Sequence, residues 1–488
     1  MVFLLVRGYE FNSGDQAEHL PLVYKALDSA LYAKDYFVTA SESTFTVRYA
    51  YVQVVTFFSY LIGVPSTVFI CMILCLTLSA WAFWSIGYFL SGNCLAGYLS
   101  PVFVLFVFYN YFTLGTDLIQ GNVLVSGSFG LAFATVSIAF FIMKGFRLAF
   151  FFLGIAGLFH VMFSFNLFLL LFTAYVLFYR TRYEWIILGS LYISICGLVP
   201  ILLKQTTDTF VYDKHLYYQI QYIFRNYHHF MPSLFPLSHY IKFSGLSFVG
   251  MLLLLFLPVH QKKVIYFFYI AVILGFAVYA LCLEGLDLMF VGKTQWPKGT
   301  TIWVSMFSSV IFAIALAEIW KGLVHIYLSP RFVAVISFVV AFFGLLVLTN
   351  QMPLPAEYAI RYKAGNYPKD DLYMMHHWIE QNTPKDAVFL LPATNDRFGC
   401  ESKRSAISGY RAIVHEPFFM MPWFDTFCLV YHVTLDDGLK HNVYDIVDER
   451  YHTYNVKMFS ERNLDIDYRL VDMSACQYLE ALGAPLHI

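Results

Sequence analysis

The 488-residue chain is far more apolar than a water-soluble protein of this length. Hydrophobic residues account for 59% of it and charged residues for 13%, the formal net charge is -1, and the mean hydropathy is +0.62. This composition is typical of helical membrane proteins. It gives no reason to expect nucleic acid as a partner, since such a partner requires a basic stripe that displaces counterions.

Residues 1–65 form a first segment that precedes the main apolar region. Within it, Asp15, Glu18 and His19 would share one face of a helix that begins near Asp15. A carboxylate there could take a proton from an acceptor hydroxyl, or Asp15 and His19 could hold a divalent metal. The alternative is an ordinary capped loop helix. Residues 48–63 are apolar and are expected to lie on the membrane as an interfacial helix.

Residues 66–349 contain a series of apolar stretches, each near the ~20 residues that cross a bilayer as a helix. Helices satisfy their own backbone in lipid, so the pattern predicts an all-α polytopic transmembrane core of about ten spans. The polar residues His160, Ser164 and Asn166 divide residues 148–179 into two crossings. The predicted spans are roughly 66–91, 98–112, 122–143, 148–162, 164–179, 184–203, 241–258, 264–283, 301–320 and 332–349.

The charges between these spans predict the orientation of the core. Cytoplasmic loops tend to carry lysine and arginine close to the helix ends. Alternate connections are short and basic, and they contain Lys144 with Arg147, Arg180 with Arg182, Lys262 with Lys263, and Lys321 with Arg331. The first segment, the loop over 204–240, the loop over 284–300 and the whole tail after residue 350 are therefore expected outside the cytoplasm.

Two of the extracytoplasmic loops carry candidate anion-binding residues. Arg225, His228 and His229 lie in the loop over 204–240, where they could bind a phosphate by charge-assisted hydrogen bonds or ligate a metal. Lys298 lies just outside a span, where it could contact an anionic lipid. The histidines could equally be inert, and Lys298 could be an interfacial anchor beside Trp296.

Residues 350–488 have the composition of a small soluble α/β domain. The pattern predicts a helix over 371–381, a strand over 387–391, and further short strands within 399–414 and 443–447. Arg397, Arg404 and Arg411 are either additional anion contacts or ordinary solvated charges. Outside the cytoplasm one disulfide could form among three cysteines, with no pair favoured by the sequence: Cys400, Cys428 and Cys476.

Three motifs carry a resemblance to a known class. They are Phe11-Asn12-Ser13-Gly14-Asp15-Gln16, Arg225-Asn226-Tyr227-His228-His229-Phe230 and Trp378-Ile379-Glu380-Gln381-Asn382-Thr383-Pro384-Lys385-Asp386-Ala387. With a multi-span core and an exported tail, the chain resembles the GT-C class of polyprenyl-lipid-dependent glycosyltransferases, and within it a group of bacterial inner-membrane proteins of unknown activity. The tail lacks the Trp-Trp-Asp-Tyr-Gly signature of oligosaccharyltransferase catalytic subunits, so transfer to an asparagine sequon is not expected.

The resemblance implies a function and a role for each candidate residue. Asp15, with Glu18 as the alternative, would be the catalytic base, and Arg225, His228, His229 and Lys298 would hold the lipid phosphate. The donor would be a polyprenyl phosphate carrying a sugar or related group, and the acceptor would be extracytoplasmic. Two other functions remain open: a transporter or lipid-moving protein, and a non-catalytic scaffold whose exported tail binds a partner.

Overall fold

The computed structural model describes residues 3–4, 8–44, 46–107, 113–115, 119–179, 189, 210–323, 370–440, 443, 446–447, 450–451 and 468–469. These residues are mostly helical. The chain forms two compact units. One, called the helical unit here, comprises residues 1–10, 65–206 and 227–366, and the other, called the sheet unit, comprises residues 11–64, 207–226 and 367–488.

The helical unit contains long apolar helices with short connections. Among the described residues, five helices are long and apolar enough to cross a membrane, which suggests a membrane-associated protein. They are Val64–Ser91, Val161–Phe178, Leu237–Phe256, Lys262–Gly285 and Trp296–Lys321. Three shorter apolar helices accompany them in this unit: Cys94–Val107, Ser126–Ile142 and Phe146–Phe159.

Burial differs sharply among these helices. In the helix Trp296–Leu323, side chains such as Trp303, Phe307 and Ile311 are fully buried, because several other helices pack around it. By contrast, the helix Leu237–Phe256 leaves Phe248 63% and Phe256 79% exposed. Large apolar side chains on an outer surface are costly in water and favourable in lipid, so the outward helices suit a bilayer.

The five long helices coincide with predicted spans, and the polar break at His160 is confirmed. The helix Phe146–Phe159 ends there and Val161–Phe178 begins directly after it. The spans predicted over 184–203 and 332–349 lie outside the described residues, as do residues 108–112 of another span. The count of ten spans therefore stays a prediction.

The sheet unit combines three distant parts of the chain. Residues 11–64 form the helices Leu20–Leu27, Tyr36–Glu42 and Tyr49–Ile62, and the mid-chain part forms Lys214–Gln219 and a π-helical turn, Ile220–Arg225. The tail adds three parallel strands in the order β2-β1-β3, namely β1 Val388–Leu390, β2 Ser405–Ala406 and β3 Tyr468–Arg469. Its helices are Asp371–Asn382, Phe398–Ser402, Pro417–Tyr431 and Leu435–Lys440.

One apolar core joins the three parts of the sheet unit. Phe37 of the first segment and Phe224 of the mid-chain part pack with Trp423 and Phe427 of the tail. Asp35 adds a polar connection, since its carboxylate accepts hydrogen bonds from Val38 N at 3.0 Å and from Ala406 N at 3.1 Å. Residues 11–64 of the first segment thus belong to the same compact unit as residues 367–488, whereas residues 1–10 belong to the helical unit.

Several predictions for the tail can be compared with the structure. The helix expected over 371–381 and the strand over 387–391 are confirmed as Asp371–Asn382 and Val388–Leu390. The strand expected over 443–447 is wrong, because residues 443, 446 and 447 are helical. Cys400 and Cys428 are free thiols, and Cys476 lies outside the described residues.

Candidate functional site

The first motif folds as a tight loop that presents Asp15. Asn12 and Gly14 both adopt positive φ angles, +57° and +55°, a conformation that glycine and asparagine tolerate best. The buried Gln16 side chain accepts a hydrogen bond from Asn12 N at 2.7 Å, which holds the loop closed. Gly14–Glu18 is then a 3₁₀ turn with Asp15 in its first turn, where a carboxylate is favoured.

Asp15 belongs to a short chain of charges in the sheet unit. Its Oδ1 accepts a hydrogen bond from Arg411 Nη1 at 3.0 Å, and Arg411 Nε lies 2.5 Å from Asp396 Oδ2. The Asp15 side chain is 66% exposed, against 15% for Asp396. Asp15 is therefore a solvent-accessible carboxylate whose position is set by an arginine of the tail.

Glu18 lies in a different environment from Asp15. Its carboxylate pairs with Arg48, and the two side chains are only 15% and 4% exposed. Burial raises the pKa of Glu18, while the positive charges of Arg48 and, to a smaller extent, Arg225 oppose that rise. An acid buried against an arginine is suited to fixing the loop, and it is a poor candidate for contacting a substrate.

His19 is a buried, neutral histidine. Its Nδ1 donates a hydrogen bond to the Asp15 carbonyl oxygen at 2.8 Å, and its ring packs edge-on against Tyr51. Burial, assisted by the charge of Arg48, lowers its pKa to about 4. No cluster of three or more histidine, cysteine or acidic side chains suited to a metal occurs in the described part of the chain, so metal binding by Asp15 and His19 stays a prediction.

Arg225 lies in the same unit as the two acids. Its guanidinium is 4.3 Å from the centroid of the Tyr410 ring, a distance typical of a cation–π contact. Its Nη1 donates to Asn226 Oδ1 at 3.3 Å, and its Nε is buried with no hydrogen-bond partner among the described residues. A guanidinium held in this way keeps hydrogen-bonding capacity for an anion.

His228, His229 and Lys298 lie in the helical unit, and two of them meet at one backbone position. His229 Nδ1 donates a hydrogen bond to the Gly115 carbonyl oxygen at 2.6 Å. Gly115 has a φ of +98°, and a Cβ there would lie 2.9 Å from the Lys298 backbone. The neighbouring His228 ring is 4.0 Å from that of His229. Gly115 thus lies next to both the His229 side chain and the Lys298 backbone, which are about 70 residues apart in sequence.

The candidate residues therefore fall into two groups. Asp15, Glu18 and Arg225 belong to the sheet unit, and the histidine pair and Lys298 belong to the helical unit. The other arginines proposed as anion contacts are engaged within the chain. Arg397 pairs with Asp370 and Glu401, and the Arg404 guanidinium donates to several main-chain carbonyls, including Glu380 O and Thr383 O.

Three further residues, Asn395, Asp396 and Ser408, were missed by the sequence prediction. Asn395, Asp396, Ser408 and Arg411 follow β1 and β2 and line a pocket at the carboxyl edge of the sheet. Parallel α/β sheets bind ligands at that edge. The signal was present in the sequence as Thr394-Asn395-Asp396, directly after an apolar strand, but β2 is only two residues long and gives no periodic pattern.

Comparison with known proteins gives a family match over part of the tail. A profile described as a domain of unknown function, DUF6798, matches residues 370–430. The matched residues run from the start of the helix Asp371–Asn382 through β1 and β2 to nearly the end of the helix Pro417–Tyr431, and they include the pocket residues of the tail. No curated protein matches the chain.

Proposed function

We propose that this chain is an integral membrane glycosyltransferase-like protein that acts on a polyprenyl phosphate donor. It would transfer a sugar or a related group to an acceptor hydroxyl on the extracytoplasmic side of a bacterial inner membrane. The observation that carries the proposal is the meeting of His229 and Lys298 on Gly115, at the start of the membrane-length helix Trp296–Lys321. A lipid phosphate would lie at that depth, next to the end of a span.

Lys298 and a protonated His229 would suit a departing phosphate. A lysine ammonium and an imidazolium N–H both make charge-assisted hydrogen bonds to phosphate oxygens. Because His229 Nδ1 donates to the Gly115 carbonyl, its phosphate contact would use Nε2. Stabilising the negative charge that develops on the leaving group is commonly the largest part of catalysis in such reactions.

Asp15 is the better candidate for the base. It is largely exposed, whereas Glu18 is enclosed with Arg48. In the proposed reaction the acceptor oxygen bonds to the donor carbon, the carbon–phosphate oxygen bond breaks, and the electron pair leaves on the phosphate. The hydroxyl proton passes to Asp15. Glu18 and Arg48 would keep the Asp15 loop in place.

The test uses the full chain reconstituted in liposomes with undecaprenyl phosphate carrying labelled glucose, mannose or arabinose, and with a bacterial envelope extract as the source of the acceptor hydroxyl. We expect Asp15→Asn to abolish release of the label while leaving lipid retention unchanged, because the amide cannot accept the proton. Lys298→Met and His229→Ala should reduce retention of undecaprenyl phosphate, measured by native mass spectrometry. Unchanged transfer by Asp15→Asn would show that the assignment of the base is wrong.

Two matched controls accompany these variants. Asp28→Asn removes another carboxylate of the first segment, one that pairs with Lys385 on the surface. Lys293→Ala removes an exposed lysine from the turn Met289–Thr294, just before the helix that carries Lys298. Neither change should affect transfer or lipid retention. Equal losses in the controls would indicate a general loss of structure or of membrane insertion.

A transporter or a scaffold would give different results in the same experiment. A lipid-moving protein would carry the labelled lipid across the bilayer without breaking its sugar–phosphate bond. A scaffold would tolerate Asp15→Asn and lose function only when residues 370–440 are disrupted. The three functions can therefore be distinguished by whether the label leaves the lipid, crosses with it, or does neither.

A further inference from the structure

The pocket at the carboxyl edge of the sheet lies entirely in the sheet unit. Its walls come from the first segment, which contributes Tyr36 and Phe37, and from the tail, which contributes Phe419 and Trp423. The rings of Tyr36 and Phe419 stack with centroids 4.8 Å apart. Most of the lining is apolar, with a few polar groups at defined points, which is the usual composition of a small-molecule site.

Most polar groups of the lining are engaged within the chain. Tyr32 donates from its hydroxyl to Gly399 O, and Trp423 donates from Nε1 to Gly409 O. The Asp35 carboxylate accepts from two backbone N–H groups, and Asp396 pairs with Arg411. These aromatic and acidic groups form the walls of the pocket, but their hydrogen-bonding atoms are largely used in contacts within the protein.

Two buried polar atoms of the lining have no hydrogen-bond partner in the described part of the chain. They are Asn395 Oδ1 and Ser408 Oγ. Ser408 is only 5% exposed. A buried polar atom without a partner is costly, and native proteins seldom retain one unless water or a ligand satisfies it.

The orientation of the Asn395 amide is set by a chain of hydrogen bonds behind it. The buried Glu401 carboxylate accepts from Arg397 Nε at 2.9 Å and from His376 Nδ1 at 2.8 Å. Asn395 Nδ2 lies 3.2 Å from His376 Nε2 and donates to it in the tautomer that carries its proton on Nδ1. The amide nitrogen is thereby fixed on His376, and Oδ1 remains as an acceptor.

The Arg397 guanidinium anchors this chain at its far end. It makes two hydrogen bonds to Asp370, at 2.7 and 3.1 Å, in a fork that fixes its plane. The network thus runs from the surface to the pocket and ends at the Asn395 amide oxygen. Its five side chains are Asp370, Arg397, Glu401, His376 and Asn395. An arrangement that holds one amide oxygen in a defined direction is suited to recognising a donor on a ligand.

We infer that this pocket is a binding site for a neutral sugar ring. A sugar hydroxyl can donate to Asn395 Oδ1, and a second hydroxyl can either donate to or accept from Ser408 Oγ. The C–H face of the ring would pack on the aromatic walls. An anion is disfavoured, because the lining contains two carboxylates, Asp35 and Asp396, and its arginines are already engaged.

The inference does not depend on the proposed transfer reaction. A sugar could bind here in an enzyme, a transporter or a receptor-like protein. Failure of the transferase experiment would leave the sugar-binding result unaffected, because the two experiments measure different sites with different probes.

The test measures binding of four neutral sugars to the full chain in nanodiscs by saturation-transfer difference NMR. The probes are the methyl glycosides of glucose, galactose and mannose, together with N-acetylglucosamine. Methoxycyclohexane supplies a ring without hydroxyl groups, and glucose 6-phosphate supplies an anionic sugar. We expect at least one neutral sugar to bind more tightly than both comparison compounds.

Two variants locate the site. Ser408→Ala and Asn395→Leu should each weaken that binding by about 3- to 10-fold, as expected for the loss of one neutral hydrogen bond. Asn382→Ala, an exposed asparagine at the end of the helix Asp371–Asn382, is the matched control and should bind like the wild type. Ser408→Ala removes one oxygen atom only, so it remains informative if Asn395→Leu lowers the melting temperature.

Three results would overturn the inference. One is the absence of binding by all four neutral sugars up to about 50 mM, a very weak affinity. Another is equal or tighter binding of methoxycyclohexane or glucose 6-phosphate. The third is sugar binding that neither variant weakens, which would place the sugar elsewhere on the protein.

Discussion

The two units hold their polar side chains by different means. In the helical unit, neutral donors bind main-chain carbonyls beside glycines. Asn166 Nδ2 donates to Thr294 O at 2.8 Å where Gly299 allows close approach, and Trp296 Nε1 donates to Val272 O at 3.2 Å beside Gly275. In the sheet unit, by contrast, charged side chains form pairs and chains such as Asp370–Arg397–Glu401.

This difference is the one that a bilayer around the helical unit would favour. In lipid a charge is expensive even when it is paired, so helices are joined by small residues and by neutral hydrogen bonds. In an aqueous unit a buried carboxylate can be retained if an arginine neutralises it. The ionisable His229 follows the same pattern, because it binds the Gly115 carbonyl, next to which the Lys298 backbone lies. The comparison predicts which kind of substitution should be harmful in each unit.

The largest effect should come from breaking the enclosed pair in the sheet unit. Glu18→Ala leaves the 4%-exposed Arg48 guanidinium without its carboxylate, so we expect the free energy of unfolding to fall by about 3–5 kcal/mol. Thermal unfolding of the purified chain measures the loss. The double variant Glu18→Leu with Arg48→Met removes both charges and should recover most of the stability. No recovery would show that the pair acts through something other than an isolated buried charge.

The second largest loss of stability should come from substitution of Gly115. It tests whether glycines in the helical unit are needed for close approach of polar residues. Gly115→Ala places a methyl group 2.9 Å from the Lys298 backbone at a φ of +98°, and the φ angle alone costs about 1–2 kcal/mol. We expect a lower melting temperature and weaker retention of undecaprenyl phosphate, because the Lys298 backbone must move away from the residue to which His229 is bound. Gly245→Ala is the control, since a Cβ there meets nothing within 4 Å. Equal effects of the two substitutions would contradict the proposed role of Gly115.

The sequence predicted the elements better than it predicted their grouping. Apolar stretches of membrane length are local signals, and the break at His160 is visible as a polar residue between two apolar runs. The association of residues 11–64 with the tail is not a local signal. It depends on contacts such as Tyr32 Oη to Gly399 O, between residues 367 positions apart, which no periodicity encodes.

The same limit applies to the candidate site. The spacing of Asp15, Glu18 and His19 predicted a shared face, but the chain forms a 3₁₀ turn in which one acid is exposed and the other enclosed. Which acid is accessible depends on Arg48 and Arg411, and neither is a sequence neighbour. The pocket at the sheet edge was missed for a related reason, because its two orphaned atoms, Asn395 Oδ1 and Ser408 Oγ, are notable only after burial is known.

The next effect is a loss of stability at low pH, which is caused by His19. Its pKa is lowered to about 4 in the fold, with Arg48 and Asp15 as the charged groups nearby, against an ordinary value of 6.5. Below pH 6.5, His19 therefore becomes protonated in the unfolded chain while it stays neutral in the folded chain. The free energy of unfolding falls as the pH falls towards 4. Relative to pH 7, the loss at pH 5 should be about 2 kcal/mol. The His19→Gln variant should lack this component of the pH dependence.

The measurement compares melting temperatures of wild type and His19→Gln from pH 7 to pH 5. The wild type should lose stability faster on acidification, so the difference between the two proteins should change steadily through that range. His377→Gln is the control, because that histidine side chain is 42% exposed in the same unit. Parallel curves for wild type and His19→Gln would mean that His19 is protonated in the folded protein.

The smallest effect on stability should be that of Asp15→Asn, and it is informative because it is small. The Asp15 side chain is 66% exposed and pairs with Arg411 at the surface, so its removal should change the free energy of unfolding by less than about 1 kcal/mol. Substitution of Glu18, three residues away, should by contrast cause a large loss of stability. A large loss of stability in Asp15→Asn would make this carboxylate structural like its neighbour. If stability is retained while transfer of the label is lost, the role of Asp15 must lie in the reaction, since the loop and its arginine partners remain in place without the charge.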